Sequence, residues 1–178
     1  MSEKPLEQLQ RQVEGGSAQS LPPLHLWNPP LSGDIDIVIR ADGTWWHEGD
    51  PIRRAPLVQL FASILRREDD GEYYLVTPVE KWRVQVECLP LIGVDVERID
   101  DSLEVRLNTE RRVRVGVDYP LRLLAEPENA IAVDLENGLS ALLARAAWYR
   151  LAEEIEERDG TAGVTSGTAF FPLVATGL

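Results

Sequence analysis

The stretch DGTWWHEGDPIRR, residues 42–54, gathers more chemistry-bearing side chains than any other part of the chain: two tryptophans, a histidine, three carboxylates and two arginines. Adjacent residues on a strand face opposite ways, so Trp45 and Trp46 cannot both enter one core from a regular strand. The one facing outward can cover a second unit or stack on the flat face of a ligand. Arg53 and Arg54 directly precede Pro56, a residue suited to the first turn of a helix. Their charges are therefore expected beside the positive end of a helix dipole, an anion site in outline. The competing expectation is that they form structural bridges with Glu48, Asp50 or Glu80. In TPVEK, residues 77–81, Thr77 can donate a hydrogen bond, Glu80 can orient a ligand and Lys81 can add charge, or Lys81 is simply an exposed strand lysine.

Other constellations say less. His47 beside Glu48 and Asp50 reads as a solvated turn, and Asp34 and Asp36 as one solubilising strand face; neither motivates a metal site. Cys88, the single cysteine, cannot form an internal disulfide and reads as a small buried hydrophobe. No phosphate-binding glycine loop, dinucleotide fingerprint, zinc-protease motif, nucleophile elbow or paired C-x-x-C occurs. No cofactor is expected, and no catalytic pair can be named.

The elements that position these residues follow from periodicity. Leu6, Leu9 and Val13 suggest a short amphipathic helix at 5–14, released by GGS at 15–17. LPPLHLWNPP reads as extended chain anchored by Leu24, Leu26 and Trp27. Ile35, Ile37 and Ile39 alternate with polar neighbours as in a half-buried strand, Asp42 and Gly43 make a tight turn, and TWWHEG returns. A helix is expected over 56–67 through Leu57, Leu60, Phe61, Ile64 and Leu65. EYYLVT and KWRVQVEC form a second hairpin, with Trp82, Val84, Val86 and Cys88 on one face. Short strands then recur as LIGVDVE, LEVRLNT, VRVGVD, PLRLLAE and AIAVDL, before a long helix capped by Asn137 and ended by Gly160. The tail is read as small-residue loop until Phe170, Phe171, Leu173 and Val174. Strand, turn and strand at 34–47 are echoed weakly at 103–117.

The fold class is thus α+β, in two small units: an N-terminal helix and linker (1–18), a mixed α+β unit (19–88), and an antiparallel sheet closed by one long helix, with its tail (89–178). The second has a pleckstrin-homology-like silhouette. At 178 residues the chain can bury a sizeable core, and 44% hydrophobic with 27% charged residues is the composition of a globular protein. A formal net charge of −12 disfavours nucleic-acid and membrane partners. The polar start, MSEKPLEQLQ, has no signal-peptide core, so a cytoplasmic protein is expected.

The chain resembles the bacterial domain-of-unknown-function family 1285 (DUF1285). The resemblance rests on LPPLHLWNPPLSGDIDIVI, DGTWWHEGDPIRRAPLVQLFASILRRE and DGEYYLVTPVEKWRVQVE, and more loosely on RLNTERRVRVGVDYPLRL and GLSALLARAAWYRL; it spans about residues 21–152. It implies two parts with a repeated structural core, and a ligand pocket between them for something nucleotide-like, in a signal-transduction role. Gly43, Trp45, Trp46, Arg53, Arg54, Thr77, Pro78 and Glu80 match the family pattern. Cys88, Leu89, Pro90 and Leu91 depart from it, where an acidic residue and a Pro-Phe pair are expected. The expectation is a non-enzymatic sensor or adaptor binding an anionic small molecule through Trp45, Trp46, Arg53, Arg54, Thr77, Glu80 and Lys81. The alternative is a protein-interaction scaffold that takes a partner segment in a groove or at a sheet edge. An enzyme acting on a phosphorylated or nucleotide substrate ranks third.

Overall fold

The computed structural model describes residues 5–14 and 21–173. The chain divides into unit 1, residues 1–90 with Asn137–Leu139, and unit 2, residues 91–136 with 140–178.

Unit 1 opens with α1 (Pro5–Glu14), whose Leu9 is fully buried. The GGS release at 15–17 lies outside the described residues. A short 3-10 turn follows at Leu24–Leu26. Of the three anchors expected there, Leu24 is fully buried, Trp27 is half-buried and Leu26 is 71% exposed. The two proline pairs of LPPLHLWNPP flank a tight turn that directs Leu24 inward and Leu26 outward.

Strands β1 (Gly33–Ile39), β2 (Trp45–His47) and β3 (Asp50–Pro51) form an antiparallel meander. Ile35, Ile37 and Ile39 enter the core while Asp34 and Asp36 stay in water, as their alternation requires. Gly43 turns the first hairpin at φ +84°, a conformation that glycine adopts without steric cost. The Asp42 carboxylate accepts from the Thr44 amide at 3.0 Å.

Helix α2 (Ala55–Ser63) then packs Leu57 and Phe61 inward. It is shorter than the 56–67 read from periodicity, because Leu65–Arg67 is strand β4, paired with β5 (Tyr73–Val76). Leu65 is buried in either conformation, so its spacing does not separate the two. Strand β5 pairs with β6 (Lys81–Val86), and β6 lies parallel to β1, giving the order β3-β2-β1-β6-β5-β4.

Unit 2 contains β7 (Leu91–Ile99), β8 (Ser102–Leu107), β9 (Arg112–Arg114), β10 (Leu121–Leu123), β11 (Ile131–Asp134) and β12 (Ser140–Leu143), in the order β10-β11-β12-β7-β8-β9. Strand β12 runs parallel to β7, so the expected antiparallel sheet has a parallel pair at its centre. Each six-stranded sheet therefore joins two three-stranded meanders through a parallel pairing of its first and last strands. The internal echo is this shared topology: β1 and β2 correspond to β7 and β8, and 103–117 is not the equivalent segment.

The long helix expected from Asn137 is α3 (Arg145–Ala152), eight residues long. Asn137 and Gly138 take φ of +59° and +72°, so Asn137 bends the chain instead of capping a helix. Residues 140–143 then find β7, a partner distant in sequence. The expected tail loop is a third sheet of β13 (Glu156–Arg158), β14 (Thr161–Ser166) and β15 (Ala169–Pro172). Its small residues have a packing reason: a Cβ on Gly163 would collide with the Phe171 carbonyl. Val174 lies outside the described residues. Both units are α+β, and unit 2 is compatible with the pleckstrin-homology-like silhouette. Among the described residues no helix is long and apolar enough to cross a membrane.

Candidate functional site

The hairpin β2–β3 decides which tryptophan faces the core. Trp45, opposite Ile39, is 1% exposed and stacks on Phe61 of α2 with ring centroids 6.5 Å apart. Its indole Nε1 has no hydrogen-bond partner. Trp46, opposite Val38 and Pro51, points the other way and is half-buried. The indole Nε1 of Trp46 donates to the Thr44 hydroxyl at 2.9 Å, and that hydroxyl donates to Asp42 at 2.6 Å. The two bonds from Thr44 hold the Asp42 carboxyl below its usual range, the hydroxyl contributing most. The guanidinium of Arg40 lies 3.6 Å from the centroid of the Trp46 ring. Sequence reasoning missed Arg40; its signal was its position just past β1, two residues beyond Val38, the cross-strand neighbour of Trp46, and so on the same face.

Arg53 and Arg54 connect β3 to α2 and are both exposed. Among the described residues neither guanidinium makes a hydrogen bond, ion pair or ring contact, so the bridges to Glu48, Asp50 or Glu80 are absent. The helix start offers less to an anion than its dipole implies. Pro56 has no N–H, and the amides of Leu57 and Val58 both donate to the carbonyl of Arg54. Attraction for an anion here rests on the two guanidinium groups.

Thr77, Glu80 and Lys81 stand elsewhere. Lys81 opens β6, whereas Val86, beside Ile39 and hence Trp45, ends it. Five residues at about 3.3 Å each put about 17 Å between the two groups. The seven expected ligand residues therefore form two separate clusters in unit 1. Those in the second are already engaged. Thr77 is 1% exposed, and its hydroxyl accepts from the Glu80 amide at 3.0 Å, closing the β5–β6 turn. Glu80 accepts from the Gln12 side chain of α1 at 3.1 Å.

Lys81 reaches both Glu68 carboxylate oxygens, at 3.0 and 3.1 Å, and sits 4.7 Å from the centroid of the Tyr74 ring. Arg66 shares Glu68 at 2.8 Å, and its other terminal nitrogen donates to the carbonyls of Leu24 and Trp27. Burial pushes the Glu68 carboxyl up, but hydrogen bonds from Arg66 and Lys81 together outweigh it and leave it below its ordinary value. Tyr74 donates to Asp70 at 2.5 Å, and that bond, with burial, raises the phenol to about 12. Arg66, Tyr74, Arg83 and Asp34 are successive cross-strand partners on β4, β5, β6 and β1. Arg83 closes the row with a 2.8 Å bond to Asp34.

His47 and Asp50 are directly opposite each other across the turn at Glu48 and Gly49. Among the described residues, no group of three histidine, cysteine or carboxylate side chains could hold a metal ion. Cys88 is half-buried, more open than its place on a core face implied.

Two family models match the chain: the N-terminal domain of DUF1285 over residues 22–89 and its C-terminal domain over residues 90–173. No curated protein matches. A crystal structure of a DUF1285 family protein from Silicibacter pomeroyi DSS-3 superposes with a TM-score of 0.84 at 39% identity, covering 94% of this chain and 95% of that one. Another, from Shewanella baltica OS155, gives 0.58 at 37% identity, covering 67% of this chain and 92% of that one.

Proposed function

The chain belongs to the DUF1285 family, and from that premise we propose that it is a cytoplasmic, non-enzymatic sensor or adaptor whose unit 1 recognises an anionic small molecule through Arg53 and Arg54. The observation that carries this reading is that both guanidiniums are unengaged among the described residues. Arg66, Arg67 and Arg83 of the same unit each spend theirs on a carboxylate, a carbonyl or a ring. Two adjacent exposed arginines with no partner among the described residues leave two planar donor forks open to a bound anion. Trp46, the cross-strand partner of Pro51, supplies a half-buried aromatic wall in this reading. Thr77, Glu80 and Lys81 serve the fold of the β5–β6 turn in this reading.

A non-enzymatic role is supported by the state of the perturbed groups. Glu68, Asp70 and Tyr74 are each held by a neighbour, in the manner of structural pairs. Strand addition by a partner is less well supported than ligand binding. The outer strands of the unit 1 sheet are two and three residues long, one contains Pro51, and the other carries Arg66 and Arg67.

A thermal-shift screen against mono-, di- and cyclic nucleotides and inorganic phosphates tests the reading. A ligand at about 100 times its dissociation constant adds about 2.7 kcal/mol, a rise of several degrees for a chain of this size. Loss of that rise in Arg53→Ala and Arg54→Ala, with folding intact, is the expected result. A wild-type protein that responds neither to this set nor to phosphorus-free anions refutes it.

A further inference from the structure

Arg40 is another arginine of unit 1 whose guanidinium makes no hydrogen bond or ion pair among the described residues. Its guanidinium lies over the Trp46 ring, which occupies its flat face, and among the described residues its N–H groups have no hydrogen-bond or ion-pair partner. The stack holds a long side chain in one place, so little rotamer freedom is lost when an anion meets its edge.

The strand register brings Arg40 and Arg53 to the same face. The Arg40 amide donates to the Thr44 carbonyl at 2.9 Å, continuing the pairing of Ile39 with Trp45. On the other side of β2, Trp46 pairs with Pro51, and the Ile52 amide donates to the Trp45 carbonyl at 2.8 Å. Strand β3 ends at Pro51, and its register continued past Ile52 would set Arg53 opposite Thr44. Directly opposed residues share a sheet face, so Arg40, Thr44 and Arg53 form a row beside the Val38, Trp46 and Pro51 row. Two strand spacings put the Cα atoms of the arginines about 10 Å apart, within reach of two arginine side chains closing on one tetrahedral group.

Two carboxylates lie nearby and keep their charge, and Asp42, held low chiefly by its bonds from Thr44, is also lowered by the charge of Arg40. Asp42 receives the Thr44 amide and hydroxyl, and Glu87 receives the Ala41 amide at 2.9 Å. We propose that Arg40 is a further ligand-binding residue, and that Arg40 and Arg53 grip a phosphoryl group across Thr44, with Trp46 as the platform that aims Arg40. The proposal rests on the reading that the Arg53 and Arg54 region binds an anion. It adds Arg40 and the phosphoryl chemistry, carried by free phosphate or by a nucleotide.

The test is a titration of 15N-labelled protein with inorganic phosphate and, separately, with adenosine monophosphate at constant ionic strength, following the tryptophan indole N–H signals. Trp46→Phe identifies its own signal by deleting it. The expected result is a Trp46 shift on binding and a dissociation constant raised about tenfold or more in Arg40→Ala, since a charged hydrogen bond is lost. Arg40→Lys should weaken binding as well, because it keeps the charge without the planar fork; it carries the test if Arg40→Ala does not fold. Tighter binding of the nucleotide than of phosphate assigns the source to a nucleotide, and equal binding to the phosphoryl group alone. If Arg53→Ala and Arg54→Ala abolish binding while both Arg40 variants bind as wild type, the role of Arg40 is overturned and the broader anion reading stands. If neither ligand binds the wild-type protein, the phosphoryl assignment falls, and a response to a phosphorus-free anion in the same assay decides whether the broader reading falls with it.

Discussion

Replacing Lys81 by methionine separates a structural lysine from a ligand-binding one. Its ammonium group makes two hydrogen bonds to Glu68, at 3.0 and 3.1 Å, with side-chain exposures of 15% for the lysine and 23% for the glutamate. A charged hydrogen bond in a partly buried site is worth about 1.5–3 kcal/mol, an exposed pair about 0–1. This pair sits between those limits. Methionine keeps the stem against Tyr74, and Arg66 keeps Glu68 from being stranded, so the expected cost is about 1–2 kcal/mol. At about 2–4 °C per kcal/mol for a chain of this size, the melting temperature should fall by about 2–8 °C at neutral pH. The pH dependence has a definite sign. The Glu68 carboxyl is lowered in the folded state, so its stabilisation is complete above the unfolded value of about 4.3 and is lost as pH falls through the folded value. The gap between wild type and Lys81→Met should therefore be full at pH 7 and close on acidification below about 4. Differential scanning fluorimetry across that range, with Glu68→Gln and the double variant completing a cycle, measures it. A variant that melts with wild type at pH 7, or a gap that persists unchanged into acid, refutes the structural assignment.

Two further outcomes follow from the packing. An ultraviolet titration should find one of the four tyrosines ionising near pH 12, and Tyr74→Phe should remove it; the bond to Asp70 favours the protonated phenol, so its stabilisation is full below about 10 and is lost as pH rises through about 12. All four tyrosines titrating together near 10 in the folded protein would contradict this. In Gly93→Ala, the new methyl would lie 2.6 Å from a Leu143 methyl and 2.9 Å from one on Val105, both side chains buried; urea unfolding should show a loss of about 1–2 kcal/mol, whereas a neutral or stabilised variant overturns the packing argument.

What could be read from the sequence was what local periodicity and turn chemistry decide. The β1–β2 hairpin follows from three alternating isoleucines and a glycine that must adopt positive φ, and α1 and the start of α2 follow from apolar spacing and proline. The failures have a common physical cause. Leu139, Leu142, Leu143, Ala146 and Ala147 fit a helical stripe, yet Ser140–Leu143 becomes a strand because β7 offers a parallel edge nearly fifty residues earlier in the chain. The β14–β15 hairpin was hidden because its small residues look like loop, when they are small to admit the Phe171 backbone. The split of the expected site into two clusters was hidden for the same reason: the β1–β6 pairing, which sets Lys81 and Trp45 at opposite ends, is between strands far apart in sequence.

The high arginine content is weak evidence for anion binding taken alone, because the fold consumes most of it. In unit 2, Arg98, Arg106, Arg111, Arg112, Arg122, Arg150 and Arg158 each lie within 4 Å of a carboxylate. An acidic chain with only two lysines must balance its carboxylates largely with arginine, whose several donors suit that task on a sheet, as Arg122 shows by directing Nε to both oxygens of Asp134 at 2.8 and 2.9 Å and a terminal nitrogen to the Ser140 hydroxyl at 3.4 Å. The informative residues are the exceptions. Arg114 and Arg145 are also unpaired among the described residues, but they stand singly, and one exposed arginine is ordinary. Arg40, Arg53 and Arg54 fall at the same end of one three-stranded meander, with an indole already stacked on one of them and the nearest acids tied to backbone amides. Convergence, and not charge, distinguishes this place from the rest of the surface. Register is what gathers them: the Ile52 amide bonded to the Trp45 carbonyl carries the β2–β3 pairing past Pro51 toward Arg53, on the far side of Thr44 from Arg40.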